Sequence, residues 1–241
     1  MSELKGNKIL IAPVAYVRSP FQEKFGIPRQ AGLVDDAVGE VVFVPPFDDA
    51  GMLDGLEGFS HVWLLFRFSA CADRGWRPRV RPPRLGGNRE VGVWASRSPF
   101  RPNGLGLSAV RLLDVVTRPR PLLRVGGIDL LDGTPVVDVK PYLPYADAIA
   151  DAAGGFADAA PPAGLAVRFA SLAENRLAGR DDADALRRLI TGVLALDPRP
   201  AYRQIADGNR VYGMHLCGLD VRWAVDDDGV EVCDLAPVAD D

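Results

Sequence analysis

The feature that most constrains this chain is a succession of short β-prone runs with no long helical repeat between them. Residues 8–17, 39–44, 61–68, 91–95, 108–116, 122–129 and 134–139 are rich in Val, Ile, Leu and aromatics, and turn residues separate them. Parallel strands need long crossovers, usually helical, and none is visible here. The pattern therefore predicts an antiparallel, mainly β fold, a barrel or a sandwich, and not a doubly wound parallel sheet. The apolar run near the N-terminus is too short to span a membrane and has no small-residue cleavage pattern, so it reads as a first strand.

The character of the chain changes after residue 146. Residues 147–164 are rich in Ala, Gly and Asp and include Pro161-Pro162, the composition of a linker or loop. A helix follows, with Asp181 or Asp182 as its cap and Leu186, Leu189, Ile190, Val193 and Leu194 on one face; Pro198 stops it. Strands over 210–216, 219–225 and 230–235 finish the chain, the last two joined by a turn at Asp226-Asp227-Asp228-Gly229. We expect a β-barrel domain over residues 1–150 and a smaller α+β domain over 165–241.

With 241 residues and 48% hydrophobic content, the chain is long enough for one sizeable core, or for a core with a small appended domain. The formal net charge of −4 argues only weakly against a nucleic-acid partner, because the basic residues are clustered. Three dispersed cysteines without a C-x-x-C pair point away from a disulfide framework or a zinc site, and two histidines leave no basis for a multi-histidine metal centre. These features predict a cytoplasmic protein with no metal.

The cluster lies over residues 74–108. Arginines stand at 74, 77, 79, 81, 84, 89, 97 and 101, and prolines at 78, 82, 83, 99 and 102 keep the backbone extended. Guanidinium forks on a stiff loop suit phosphates, and Trp76 and Trp94 offer stacking surfaces for bases. A solvated basic loop paired with the many aspartates is the plain alternative. The segment Gly104-Leu105-Gly106-Leu107-Ser108-Ala109 imitates a dinucleotide-binding fingerprint. That motif needs a strand before it and a helix after it, whereas Arg101-Pro102-Asn103 precedes it here and a β-prone run follows.

Several longer motifs occur in order. They are Ser19-Pro20 with Glu23-Lys24-Phe25, Pro28-Arg29-Gln30, Gly58-Phe59-Ser60-His61 with Trp63, and Gly75-Trp76-Arg77-Pro78. They continue with Ala95-Ser96-Arg97-Ser98-Pro99-Phe100-Arg101-Pro102-Asn103, with residues 132–142 (DGTPVVDVKPY), and with residues 197–203 (DPRPAYR). On these motifs, over nearly its whole length, the chain resembles the TrmO (TsaA-like) family of tRNA N6-methyltransferases. The resemblance implies a single-sheeted β-barrel, S-adenosylmethionine as cofactor, and a homodimer with the cofactor site near its interface. It implies as substrate a tRNA, chiefly threonine tRNA, carrying N6-threonylcarbamoyladenosine just 3′ of the anticodon.

Carried over by position, the resemblance assigns cofactor contacts to Ala31, Gly32, Leu33, Ser69, Ala70, Arg97, Leu107, Gly133, Thr134, Pro135 and Val136. Arg97 suits the methionine carboxylate, and Leu33 and Leu107 suit the adenine. The family pattern has a His-Gln pair where this chain has Ser69-Ala70, so contacts there run through the backbone or the assignment shifts by a position.

For chemistry we single out Asp138 as proton acceptor, Lys140 as a cation near the carbamoyl or carboxylate group, and Tyr142 as stacking or hydrogen-bonding partner, with Tyr145 nearby. A same-face strand ion pair between Asp138 and Lys140 is the plain alternative. His61 and His215 read as structural. Arg77, Arg84, Arg101, Asn103, Arg199, Tyr202 and Arg203 are the candidate tRNA contacts, with Arg210 beside them. A module that binds cofactor or RNA without turnover is the competing reading, supported only by the Ser69-Ala70 departure.

Overall fold

A computed structural model describes residues 9–159, 164–199 and 210–238. Among them, β1 (Ala15–Arg18), β2 (Val38–Phe43), β3 (His61–Arg67), β6 (Leu105–Val116), β7 (Leu122–Gly126) and β8 (Pro135–Pro141) close a barrel in the order β1-β2-β7-β6-β3-β8. Every pairing in it is antiparallel, and closure is made where Ala15 and Tyr16 of β1 meet Val136 and Pro135 of β8. Side chains alternate as the pleat requires. Val17, Val41, Val62, Leu64, Val110, Leu123, Val125 and Val136 fill the interior, each at most 1% exposed. The two-residue strands β4 (Arg79–Val80) and β5 (Val91–Gly92) pair outside the barrel and brace the arginine-rich segment.

After the short helix α1 (Pro144–Asp147), the rest of the chain builds a four-stranded sheet. Its order is β10-β11-β12-β9, from β9 (Val167–Phe169), β10 (Val211–Leu216), β11 (Leu219–Asp226) and β12 (Gly229–Pro237). Helices α2 (Ser171–Leu177) and α3 (Ala183–Ala195) pack on it, and α3 buries Leu186, Leu189, Ile190, Val193 and Leu194 as its periodicity predicts. The barrel and this sheet share one continuous apolar core. Their junction is residues 20–25. Phe21 bridges to Leu216, the Cys217 N–H donates to the Pro20 carbonyl (3.0 Å), and Phe25 stacks on the buried Trp223 (6.4 Å between centroids).

Local differences from the sequence expectations have identifiable causes. The first strand begins at Ala15, not at residue 8: Ile9, Leu10 and Ile11 are exposed, and Pro13 brings no N–H to a ladder. Residues 93–95 form a 3₁₀ turn rather than strand. Asp182 occupies the N-cap position of α3, but its carboxylate receives the Arg180 guanidinium (2.7 and 2.9 Å) and makes no cap bond. Gly104-Leu105-Gly106 opens β6 and no helix follows. Gly104 turns at φ +61°. Gly106 lies beneath the Phe66 ring, whose atoms would come within 2.3 Å of an added Cβ.

Candidate active site

β3 and β6 pair with Leu65 opposite Leu107 and Trp63 opposite Ala109. By alternation, these side chains point away from the barrel interior. Where β3 ends and β6 begins, their outer surface is covered by three loops, at residues 24–30, 69–71 and 96–101. Between strands and loops lies a cavity of about 540 Å³, floored by residues 129–131 and Thr134. Its walls are apolar at Ile27, Leu65, Phe66, Phe68 and Leu107, with the Phe66 and Phe68 rings edge-to-face at 5.0 Å. Polar groups reach it from every side: Lys24, Arg29 and Gln30 from the first loop, Ser69 from the second, Ser96, Arg97 and Arg101 from the third, and Ser108, Asp129 and Thr134 from the strands and floor. Convergent polar groups in a mostly apolar concavity are what a small-molecule site requires.

Each loop is fixed by its own contacts. Lys24 Nζ donates to the Ala70 carbonyl (2.7 Å), joining the first loop to the second. Arg97 donates from Nη1 to the Gln30 side-chain oxygen, joining the third to the first. Arg101 donates to the carbonyls of Ser96 (2.6 Å) and Val93 (3.4 Å) and lies over the Trp94 ring, 5.3 Å from its centroid, so much of its guanidinium is spent on holding the loop. Thr134 is buried and donates from Oγ1 to the Leu131 carbonyl (2.6 Å). Burial raises the Asp129 carboxyl above the ordinary carboxylate range, against the lowering effects of the Ser108 hydroxyl, nearby backbone N–H groups and the Arg97 charge.

The expected cofactor residues divide. Ser69, Ala70, Arg97, Leu107 and Thr134 line the cavity. Ala31, Gly32, Gly133, Pro135 and Val136 do not. Gly32 and Gly133 are turns at positive φ whose N–H groups bond to Gly127 and Val17, Pro135 pairs with Tyr16, and Val136 belongs to the barrel interior. Leu33 lines a second cavity of about 390 Å³, between the first loop, residues 81–87 and the end of α3. Sequence reasoning passed over Lys24, Gln30, Ser108 and Asp129. Pro28-Arg29-Gln30 was visible as a motif without a role, and an acidic residue between the apolar Ile128 and Leu130 was the available signal for Asp129.

The candidate catalytic residues lie one strand away on the same face. Asp138 is opposite Leu65, and Lys140 is opposite Trp63. Lys140 Nζ is 3.3 Å from Asp138 Oδ2, and both side chains are largely solvent-accessible. The Tyr142 ring lies against those of Trp63 (5.5 Å) and His61 (6.1 Å). Trp63 also lines the cavity and donates from Nε1 to Asp147 (3.0 Å). Tyr145 is exposed.

Among the candidate tRNA contacts, Arg77 is exposed and stacks over Phe100 (4.7 Å), Arg84 donates to the Ala159 carbonyl, and Asn103 is exposed. Arg199 needs correction: it is only 6% exposed and its guanidinium is committed to Asp197 (2.8 and 2.9 Å), leaving no fork for a phosphate. Tyr202 and Arg203 lie outside the described residues. Among the described residues no cluster of three or more His, Cys, Asp or Glu could hold a metal, and no helix is long and apolar enough to cross a membrane.

Fold and cavity together define a closed β-barrel protein with a mostly apolar cavity of small-molecule size where β3 ends and β6 begins, beside a polar, solvent-open surface. Residues 16–148 match the model of the tRNA-methyltransferase O N-terminal domain, and residues 162–238 match the TrmO C-terminal domain. The chain belongs to the tRNA-methyltransferase O family. It is 47% identical over 226 residues to the Escherichia coli K12 tRNA (adenine(37)-N6)-methyltransferase, covering 93% of this chain and 96% of that one. It is 50% identical over 217 residues to a putative S-adenosylmethionine-dependent methyltransferase, RcsF, of Pseudomonas aeruginosa, covering 88% and 91%. The crystal structure of TrmO from P. aeruginosa superposes with a TM-score of 0.79 at 42% identity, covering 98% of this chain and all of that one.

Proposed function

We propose that this chain is an S-adenosylmethionine-dependent methyltransferase acting on N6 of adenosine 37 in tRNA. We further propose that the adenosine carries an N6-threonylcarbamoyl group and that threonine tRNA is the chief substrate. The reading rests on adjacency: the cavity and the Asp138-Lys140-Tyr142 surface share one sheet face and are joined by Trp63, which touches both.

The residues present suit the cofactor. Phe66, Leu107 and Ile27 offer apolar walls for an adenine, Arg97 offers a guanidinium for a carboxylate, and about 540 Å³ accommodates a nucleoside with an amino-acid tail. When bound, S-adenosylmethionine supplies an electrophilic methyl group. The N6 nitrogen of the modified base is a poor nucleophile, because its lone pair is delocalised into the purine and the carbamoyl group, and its N–H is correspondingly acidic. Asp138, open to solvent at the edge of the cavity face, accepts that proton. Lys140 stabilises the charge that develops on the carbamoyl, and Tyr142, braced by Trp63, orients the base. The arginine-rich segment, with Arg77, Arg84 and Asn103 at its surface, contacts the anticodon stem-loop. The C-terminal sheet serves as the second tRNA-binding domain. Two copies associate over the exposed cavity rim, and the enzyme works in the cytoplasm.

The test is methyl transfer from labelled S-adenosylmethionine to threonine tRNA with and without the threonylcarbamoyl group. Transfer confined to the modified tRNA is expected. Cofactor binding without transfer to either tRNA would leave a binding module, and equal transfer to both would remove the threonylcarbamoyl requirement.

A further inference from the structure

The second cavity, of about 390 Å³, lies between the first loop, residues 81–87 and the end of α3. It thus joins the barrel, the arginine-rich segment and the C-terminal half of the chain. Its walls are apolar at Ile27, Leu33, Val193 and Leu196, and three prolines add ring surface. Gly86 and Gly87 turn at φ +71° and +72° and, having no side chains, leave the backbone bare at its rim. Apolar faces beside bare backbone suit a flat heteroaromatic group with polar edges.

The charged side chains that line this cavity are all cations: Lys24, Arg29, Arg81 and Arg199. Two are neutralised already, Arg199 by Asp197 and Arg81 by Glu90 (3.1 Å). The other two are not. Lys24 is exposed and donates to the neutral Ala70 carbonyl. Arg29 is exposed, and among the described residues its guanidinium has neither an ion pair nor a hydrogen bond. Both residues line the first cavity as well, so the uncompensated charges stand on the partition between the two cavities. An anion seated on that partition places whatever flat group it carries in the second cavity.

We propose that the second cavity takes the base of one unpaired nucleotide of the tRNA, a neighbour of the reacting adenosine in the anticodon loop, with its phosphate on Arg29 and Lys24. The inference rests on tRNA as the substrate and adds a site for a nucleotide that is not itself methylated. This base and the adenosine at the Asp138 surface are two anchors that both border the first cavity, and together they hold the loop in register with it. Burial of a base selects a loop whose nucleotide is free to leave the stack. Val193 and Leu196, at the end of α3, give the C-terminal half a direct part in that selection.

The experiment measures the affinity of the full chain for threonine tRNA by fluorescence anisotropy, with an abasic nucleotide placed at each anticodon-loop position in turn. In the wild type, one position besides the reacting adenosine is expected to cost about fivefold to a hundredfold, the range for one stacked base. Leu196→Trp, which fills the cavity, should weaken binding of intact tRNA by a similar factor and no longer distinguish that position. No sensitive position besides the adenosine, or a sensitivity that survives Leu196→Trp, would overturn the proposal. Arg29→Gln covers a variant that fails to fold, because this residue is exposed and unpaired: it should lower the slope of log affinity against log salt by about one. An unchanged slope would take the phosphate off the partition and overturn the proposal as well. Free nucleoside monophosphates are the competing source. One that binds as tightly as tRNA, with no abasic position sensitive, would make this a mononucleotide site and not an RNA site. Methyl transfer to the same RNAs is read separately: tRNA that binds with these sensitivities but accepts no methyl group would sink the methyltransferase reading and leave the base site in place.

Discussion

The arginines of the cavity side and those of the C-terminal sheet do different things with the same side chain. In the C-terminal half, guanidinium groups meet carboxylates: Arg168 with Asp226 and Glu231, Arg180 with Asp182, Arg187 with Glu174, Arg199 with Asp197, and Arg222 with Asp220. On the cavity side, Arg97 meets an amide, Arg84 and Arg101 meet carbonyls, and Arg77 meets an aromatic face. Arg79 and Arg81, which share Glu90, are the exception there. Carbonyls and rings orient a guanidinium without cancelling its charge. The net charge of −4 thus hides a cluster of uncompensated guanidinium groups beside the cavity, while the five C-terminal arginines named above are neutralised where they stand.

The largest effect that would sharpen this contrast lies at the reacting surface. Asp138→Asn should keep cofactor affinity and slow methyl transfer at saturating cofactor by about 10²–10⁴-fold, the usual worth of a general base. An unchanged single-turnover rate would remove Asp138 from the mechanism. Arg97→Ala should weaken S-adenosylmethionine binding by about a hundredfold, as expected for a lost charge-assisted contact, and calorimetry would read it. Gly106→Val should cost about 1–3 kcal/mol of stability through overpacking against Phe66, measured by urea unfolding.

A smaller effect concerns pH. Because the folded-state pKa of Asp129 is raised, native protein holds this proton more tightly than unfolded protein does. Its contribution to stability is therefore lost as pH rises from the ordinary aspartate range through the raised value. Asp129→Asn should melt above wild type at neutral pH, and the gap should close in acid. A gap that widens in acid would contradict the burial argument. The smallest effect breaks or keeps the comparison itself. Arg77→Gln should reduce the slope of log affinity for tRNA against log salt by about one, whereas Arg222→Gln should leave it unchanged. Equal slopes in the two variants would mean that paired and unpaired arginines do not differ toward RNA.

The barrel was readable in the sequence because short runs rich in Val, Ile, Leu and aromatics follow one another with turns and no helical repeat between them, and α3 because five apolar residues repeat at helical spacing. Their edges were less so. Where a strand stops depends on the length of its partner, and in residues 9–14 the proline at 13 is the local sign of a later start. Arg97 and Thr134 were reached through motif resemblance, and the cavity includes both. Gln30 and Asp129 escaped because the cavity is assembled from loops far apart in the chain, whose convergence only the closed barrel determines. Arg199 escaped in the other direction: its motif suggested RNA, but Asp197, two residues away, had already taken its guanidinium.

The most direct test of the account is the crystal structure of this protein with S-adenosylhomocysteine. The account predicts the ligand in the cavity where β3 ends and β6 begins, its adenine among Phe66 and Leu107 and its amino-acid tail at Arg97. Density in the second cavity beside Leu33, with the first one empty, would contradict it.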